Sequence, residues 1–181
     1  MLRKIFFSAI VMGALSFSAQ AVVIDFEEFP HEDELQGAGD IIFSKGYQLT
    51  YAAAPDEPHP VGFTTVGPSW PYNGRSAALI ANSCGATTTL TAQDNNPFTL
   101  KSIDLAGVNG DTEIFVAFTG VTISDKIVQK VIKLHNQEGW KTISFPPKFQ
   151  NLSSVTWVQG DCIANPPHMF DNIDVFPTDH D

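Results

Sequence analysis

Between residues 77 and 158, apolar side chains recur at every second position in short runs, and turn-forming residues separate the runs. Alternation of period two places successive side chains on opposite faces of an extended backbone, so it restricts this region to half-buried β-strands. The runs are 77–81, 86–91, 98–106, 113–119, 127–134, 140–145 and 152–158. Asp94-Asn95-Asn96-Pro97, Asn109-Gly110-Asp111, Asn136-Gln137-Glu138-Gly139 and Pro146-Pro147 supply turn dihedrals between them. Residues 124–135 also carry a helical spacing at Ile127, Val131 and Leu134, but their β-branched content favours a strand.

Two terminal stretches carry the same alternation with oxygen-bearing residues in it. Val22-Val23-Ile24-Asp25-Phe26-Glu27-Glu28-Phe29 reads as a first strand, and Met169-Phe170-Asp171-Asn172-Ile173-Asp174-Val175 as a last one. Asp25 and Glu27 then share a face, as do Asn172 and Asp174, while Asp171 points the other way. Paired side by side, these strands close a sandwich and pool carboxylates at its rim. Residues 30–40 read as an acidic loop, and 41–44 with 47–52 as two short strands or one bulged strand split by Lys45-Gly46. Residues 53–76 hold five prolines and little alternation, a connection long enough to be functional. The expected fold is an all-β, antiparallel jelly-roll β-sandwich of about nine or ten strands.

Residues 1–21 are a separate object. Arg3 and Lys4 precede an apolar run that ends in Ala19-Gln20-Ala21, the pattern of a signal peptide, which leaves 22–181 as one β-sandwich domain. The expected location is secreted or periplasmic, with no membrane span after signal cleavage. Removing the signal takes away two of ten cations and none of twenty acids, so the net charge moves from −10 to −12. Such a surface repels phosphate backbones, which excludes nucleic acid as a partner. In an exported chain Cys84 and Cys162, with no C-x-x-C unit, are expected to form a disulfide between two strand ends.

Catalytic signatures are missing: there is no G-x-S-x-G elbow, H-E-x-x-H, P-loop or dinucleotide glycine fingerprint. The histidines, His31, His59, His135, His168 and His180, have no partners at ligand spacing and read as solvated loop residues. The sandwich-glycosidase pattern E-x-D-x-x-E is absent too, and Glu32-Asp33-Glu34 falls in a turn-rich loop. The long connection offers a binding set instead. Trp70 and Tyr72 supply rings for stacking on a sugar face, while Asn73 and Arg75 supply donors for its hydroxyls. Trp140 and Trp157 lie in strand runs and are expected in the core.

Asp25-Phe26-Glu27, Gly46-Tyr47, the run from Pro97 to Ala106, Leu152-Ser153-Ser154-Val155-Thr156-Trp157 and Phe170-Asp171-Asn172-Ile173 resemble the exported jelly-roll domains of bacterial PEP-CTERM proteins. Those domains are in turn similar to carbohydrate-binding modules. The resemblance implies calcium held between first and last strands, which maps onto Glu27 and Asp171, and also Asp25 and Asn172. The C-terminus departs from it, ending Phe176-Pro177-Thr178-Asp179-His180-Asp181 without the Pro-Glu-Pro sorting tail. The expected function is non-catalytic binding of a glycan or other extracellular ligand. A small polysaccharide-active enzyme and an envelope or matrix protein that binds another protein are the alternatives.

Overall fold

Period-two alternation becomes strand after strand in the computed structural model, which describes residues 20–29, 35–68, 77–108, 113–135, 139–163 and 165–178. The strands are β1 (Val22–Ile24), β2 (Gln36–Gly39), β3 (Ile41–Ser44), β4 (Tyr47–Ala52), β5 (Phe63–Val66), β6 (Ala78–Ala81), β7 (Thr87–Ala92), β8 (Phe98–Gly107), β9 (Glu113–Thr122), β10 (Ile127–His135), β11 (Lys141–Ser144), β12 (Leu152–Val158) and β13 (His168–Pro177). No helix occurs among the described residues.

All pairings are antiparallel, and they resolve into two sheets. Sheet one runs β2-β5-β6-β13-β8-β11, with β1 beside β6 along the same edge of β13. Sheet two runs β3-β4-β7-β12-β9-β10. Among the described residues a single bridge, Leu152 with Phe98, joins them. From β6 onward the chain changes sheet at every connection except the β9–β10 hairpin, which makes the architecture a jelly-roll sandwich.

Each inner face is apolar because one parity of each strand is apolar. Leu49, Leu90, Val116, Phe118, Val155 and Trp157 project inward from sheet two and meet Leu79, Leu100, Leu105, Phe170, Ile173 and Val175 of sheet one. Trp157 touches Phe170 edge-to-face across the gap, with ring centroids 5.1 Å apart. At one inward position of β9 there is no room for a side chain. A Cβ on Gly120 would lie 2.8 Å from Leu152 Cδ2 and 2.9 Å from Val128 Cγ2.

Several expectations need correction. The described residues form thirteen strands rather than nine or ten. The first strand stops at Ile24, because Phe26 adopts φ 55° and turns the chain, so Asp25 and Glu27 do not share a strand face. The acidic loop contains β2, and the proline-rich connection contains β5. Residues 41–52 form two strands, the β3–β4 hairpin. Trp157 is core as expected, whereas Trp140 is only partly buried, packed on a second apolar cluster on the far side of sheet one. His168 is not a solvated loop residue: it lies on β13 and is buried.

The expected disulfide is present. Cys84 follows β6 and Cys162 follows β12, with sulfurs 2.05 Å apart, so the bridge ties the end of sheet one to the end of sheet two.

Candidate functional site

The outward parity of sheet two forms a face crossed by three rows of side chains. The central row runs Ile41, Thr50, Thr89, Thr156, Thr119 and Gln129, one residue from each strand in register. Four adjacent strands thus place threonines side by side, at the strand spacing of ~4.8 Å. On one side lies Phe43, Gln48, Thr91, Ser154, Val121 and Ile127; on the other, Ala52, Thr87, Val158, Ala117 and Val131. The local cause is the T-T-T-L-T run of β7, where Thr87, Thr89 and Thr91 face out while Leu90 enters the core.

Hydrogen bonds within the face orient its polar groups. Gln48 Nε2 donates to Thr50 Oγ1 at 3.0 Å and Gln129 Nε2 to Thr119 Oγ1 at 3.4 Å, while Thr156 Oγ1 donates to the Thr119 carbonyl at 3.3 Å. The Thr50 and Thr119 hydroxyls therefore accept from within the protein and keep their own protons for an external acceptor. Phe43 and Phe115 expose about half of their surface or more. Among the described residues, formal charge on this face is confined to one end, where Lys133 pairs with Glu113 and holds its carboxyl below the usual range. Uncharged hydroxyls and amides beside exposed rings are the chemistry that meets the hydroxyls and apolar faces of a sugar chain.

The outward parity of sheet one is different, because most of it is buried. Met169, Ala106, Ile80, Val66, Ala78 and Val108 form the second apolar cluster there. Next to it Asp171 of β13 stands opposite Asp104 of β8, both nearly buried. Thr142 of β11 and Asn172 Nδ2 each donate to Asp104, and Asn172 N donates to Asp171 Oδ1 at 2.7 Å. Asn172 has φ 45° and the pairing register shifts there. That irregularity reverses the parity, so Asp171 and Asp174 share the outer face, contrary to the alternation read from the sequence.

Of the four residues expected around an ion, Asp171 and Asn172 lie together in this network. Asp25 pairs with Lys45 at 3.6 Å, and Glu27 is exposed in the turn after β1. No group of three or more Asp, Glu, His or Cys side chains gathers into a metal cage among the described residues. Asp104 and Thr142 were not singled out by the sequence; each is one polar residue in a run that otherwise reads as ordinary strand. Trp70, Tyr72, Asn73 and Arg75 lie outside the described residues.

A cavity of about 210 Å³ opens between Leu35, Val66, Ile80, Val108, Pro167 and the disulfide. Its polar wall is already engaged. Gln159 Nε2 donates to the carbonyls of Ala81 and His168, and Gln159 Oε1 accepts from the amides of His168 and Gly160.

No protein-family model matches the chain, and no curated protein does. Solved structures with a similar outline include a carbohydrate-binding module of family 29, at 12% identity and TM-score 0.49 over 88% of this chain and 85% of that one. A DUF4465 family protein from Bacteroides ovatus is 10% identical, with TM-score 0.43, covering 87% of this chain and 99% of that one. A family 11 carbohydrate-binding module from Clostridium thermocellum, solved with a mixed-linked tetrasaccharide, is 10% identical with TM-score 0.41 over 79% and 95%.

Proposed function

We propose that the chain is an exported, non-catalytic glycan-binding module that uses the outer face of sheet two. One observation carries this reading: six strands present three rows of uncharged hydroxyl, amide and apolar groups in a protein whose net charge is −10. Kinship with the jelly-roll domains of PEP-CTERM proteins and cleavage after Ala21 belong to the same reading. The tests are affinity electrophoresis in gels that contain soluble polysaccharides and measurement of reducing ends. Binding without new reducing ends is expected. A Thr89→Val and Thr156→Val double variant keeps side-chain shape and removes two hydroxyls. At about 1 kcal/mol per hydrogen bond it should bind at least ~10-fold more weakly while still melting in one cooperative transition. Retained binding would move the site off this face, and release of reducing ends would make the chain an enzyme.

The same reading includes a structural calcium ion at Asp171 and Asp104. Its support is the direct opposition of two nearly buried carboxylates, whose repulsion a divalent cation relieves. Carboxylates are the hard oxygen donors such an ion takes, so this pair fits it by chemistry. When bound, the ion would serve as a rivet between β8 and β13. Excess chelator should then lower the melting temperature, and Asp171→Asn should remove that sensitivity. An equal melting temperature with and without chelator would leave the pair as a hydrogen-bonded clasp.

A further inference from the structure

The two sides of the sandwich carry opposite charge. β10 and β11 are the last strands of their sheets, and Lys130 joins them by donating to the Ser144 carbonyl while its ammonium lies 5.3 Å from the Phe145 ring centroid. The described residues between 126 and 148 on this side hold five of the chain's ten Lys and Arg and no acid. The described acids beside these strands are Asp104, which accepts from Thr142 of β11, Glu113, paired with Lys133, and Asp125 between β9 and β10. On the opposite side β2 leads through Asp40 into β3, the outer strand of sheet two. The described residues between 22 and 44 there include four acids, Asp25, Glu27, Glu28 and Asp40, and no Lys or Arg. Among them Glu28 accepts from Ser44 at the end of β3, Asp25 pairs with Lys45, and Asp40 immediately precedes the strand.

Both outer strands of sheet two have an unpaired backbone edge among the described residues, because β3 pairs only with β4 and β10 only with β9. Each also exposes apolar side chains on the same face: Ile41 (51%) and Phe43 (58%) on β3, Ile127 (64%) and Val131 (66%) on β10. An edge with free amides and carbonyls, apolar side chains and one sign of charge is a template for a strand that carries the opposite sign.

We propose that the occupant is a second copy of this chain, with β3 of one molecule added to the β10 edge of the next. Sheet two then continues from copy to copy, and Ile41 and Phe43 pack beside Ile127 and Val131 as cross-strand neighbours. Like edges do not pair, since β10 against β10 would oppose Lys126, Lys130 and Lys133, and β3 against β3 would oppose the acids. The contact is therefore head-to-tail, and such a contact propagates into a chain or a ring rather than stopping at a symmetric dimer. The inference is independent of the glycan reading.

Sedimentation velocity of the mature chain from Val22 at low ionic strength tests it. The average mass should rise with concentration past that of a dimer and return to monomer at about 1 M salt, where the screening length is ~3 Å. Lys126→Glu with Lys133→Glu should be monomeric, and so should Glu27→Lys with Glu28→Lys, each with a cooperative melt that shows it is folded. Mixed in equal amounts, the two variants bring opposite charges together at both contacts, so assembly past a dimer should return. A wild-type monomer at low salt, a closed dimer, or oligomers that persist in either variant or at high salt would overturn the proposal.

Discussion

Burial of one titratable ring sets a pH dependence for the whole fold. His168 lies on β13 beneath the Gln159 amide, and burial pushes its pKa from 6.5 down to about 3. The ring is neutral in the fold but protonated in the unfolded chain between those values. Its contribution is therefore constant above about pH 6.5 and becomes a growing loss as pH falls toward 3. At pH 5 the loss relative to pH 7 is about 2 kcal/mol, at 1.36 kcal/mol per unit. Urea titrations at both pH values should show that difference between wild type and His168→Leu, which cannot take up the proton. Equal losses in the two proteins would mean that the ring is hydrated. This burial is not legible in the sequence, because His-Met-Phe-Asp shows no alternation when both faces of its strand are covered. Asn172 is a second case at this scale. Amide side chains tolerate the left-handed region, so its φ of 45° costs little, and nothing in Asp171-Asn172-Ile173 marks where the parity reverses.

At the scale of elements, strands with one wet face were legible and strands with none were not. β9 and β10 alternate buried and exposed positions nearly without break, as their sequences do. β5 reads Phe63-Thr64-Thr65-Val66 and is buried at all four positions, so period two is absent and the surrounding prolines dominate the reading. β2, Gln36-Gly37-Ala38-Gly39, has no large apolar residue and exists because β5 offers it a ladder. The candidate site shows the same division. Thr87-Thr88-Thr89-Leu90-Thr91 identifies one strand with an outward threonine stripe, but the row through Thr50, Thr156 and Thr119 depends on the register of four strands. Register between distant segments is set by core packing and is not encoded locally. Asp171 was visible as an acid in a terminal strand, whereas its partner Asp104 is fixed by the β8–β13 register.

For the whole molecule, the covalent link and the shared core act on the same cooperative unit. Among the described residues the two sheets share one ladder bridge, Leu152 with Phe98, and otherwise cohere through side chains such as Trp157 and Phe170. Neither sheet can keep its inner face covered alone, so they should melt in one transition. Cys84–Cys162 closes a segment of sequence separation 78 and bridges the ends of β6 and β12, where Gly85 N also donates to the Gly160 carbonyl at 2.8 Å. Its main effect falls on the unfolded chain, which it holds compact. Loop-closure entropy for such a span gives about 4 kcal/mol. Cys84→Ser with Cys162→Ser should therefore lower stability by about that amount. It should also steepen the dependence on denaturant, because the unlinked unfolded chain exposes more surface. Circular dichroism and tryptophan fluorescence should still report one midpoint. A loss below about 1 kcal/mol with an unchanged slope would show that the unfolded chain is already compact around this span. Two separated midpoints would show that the bridge, and not the shared core, couples the sheets.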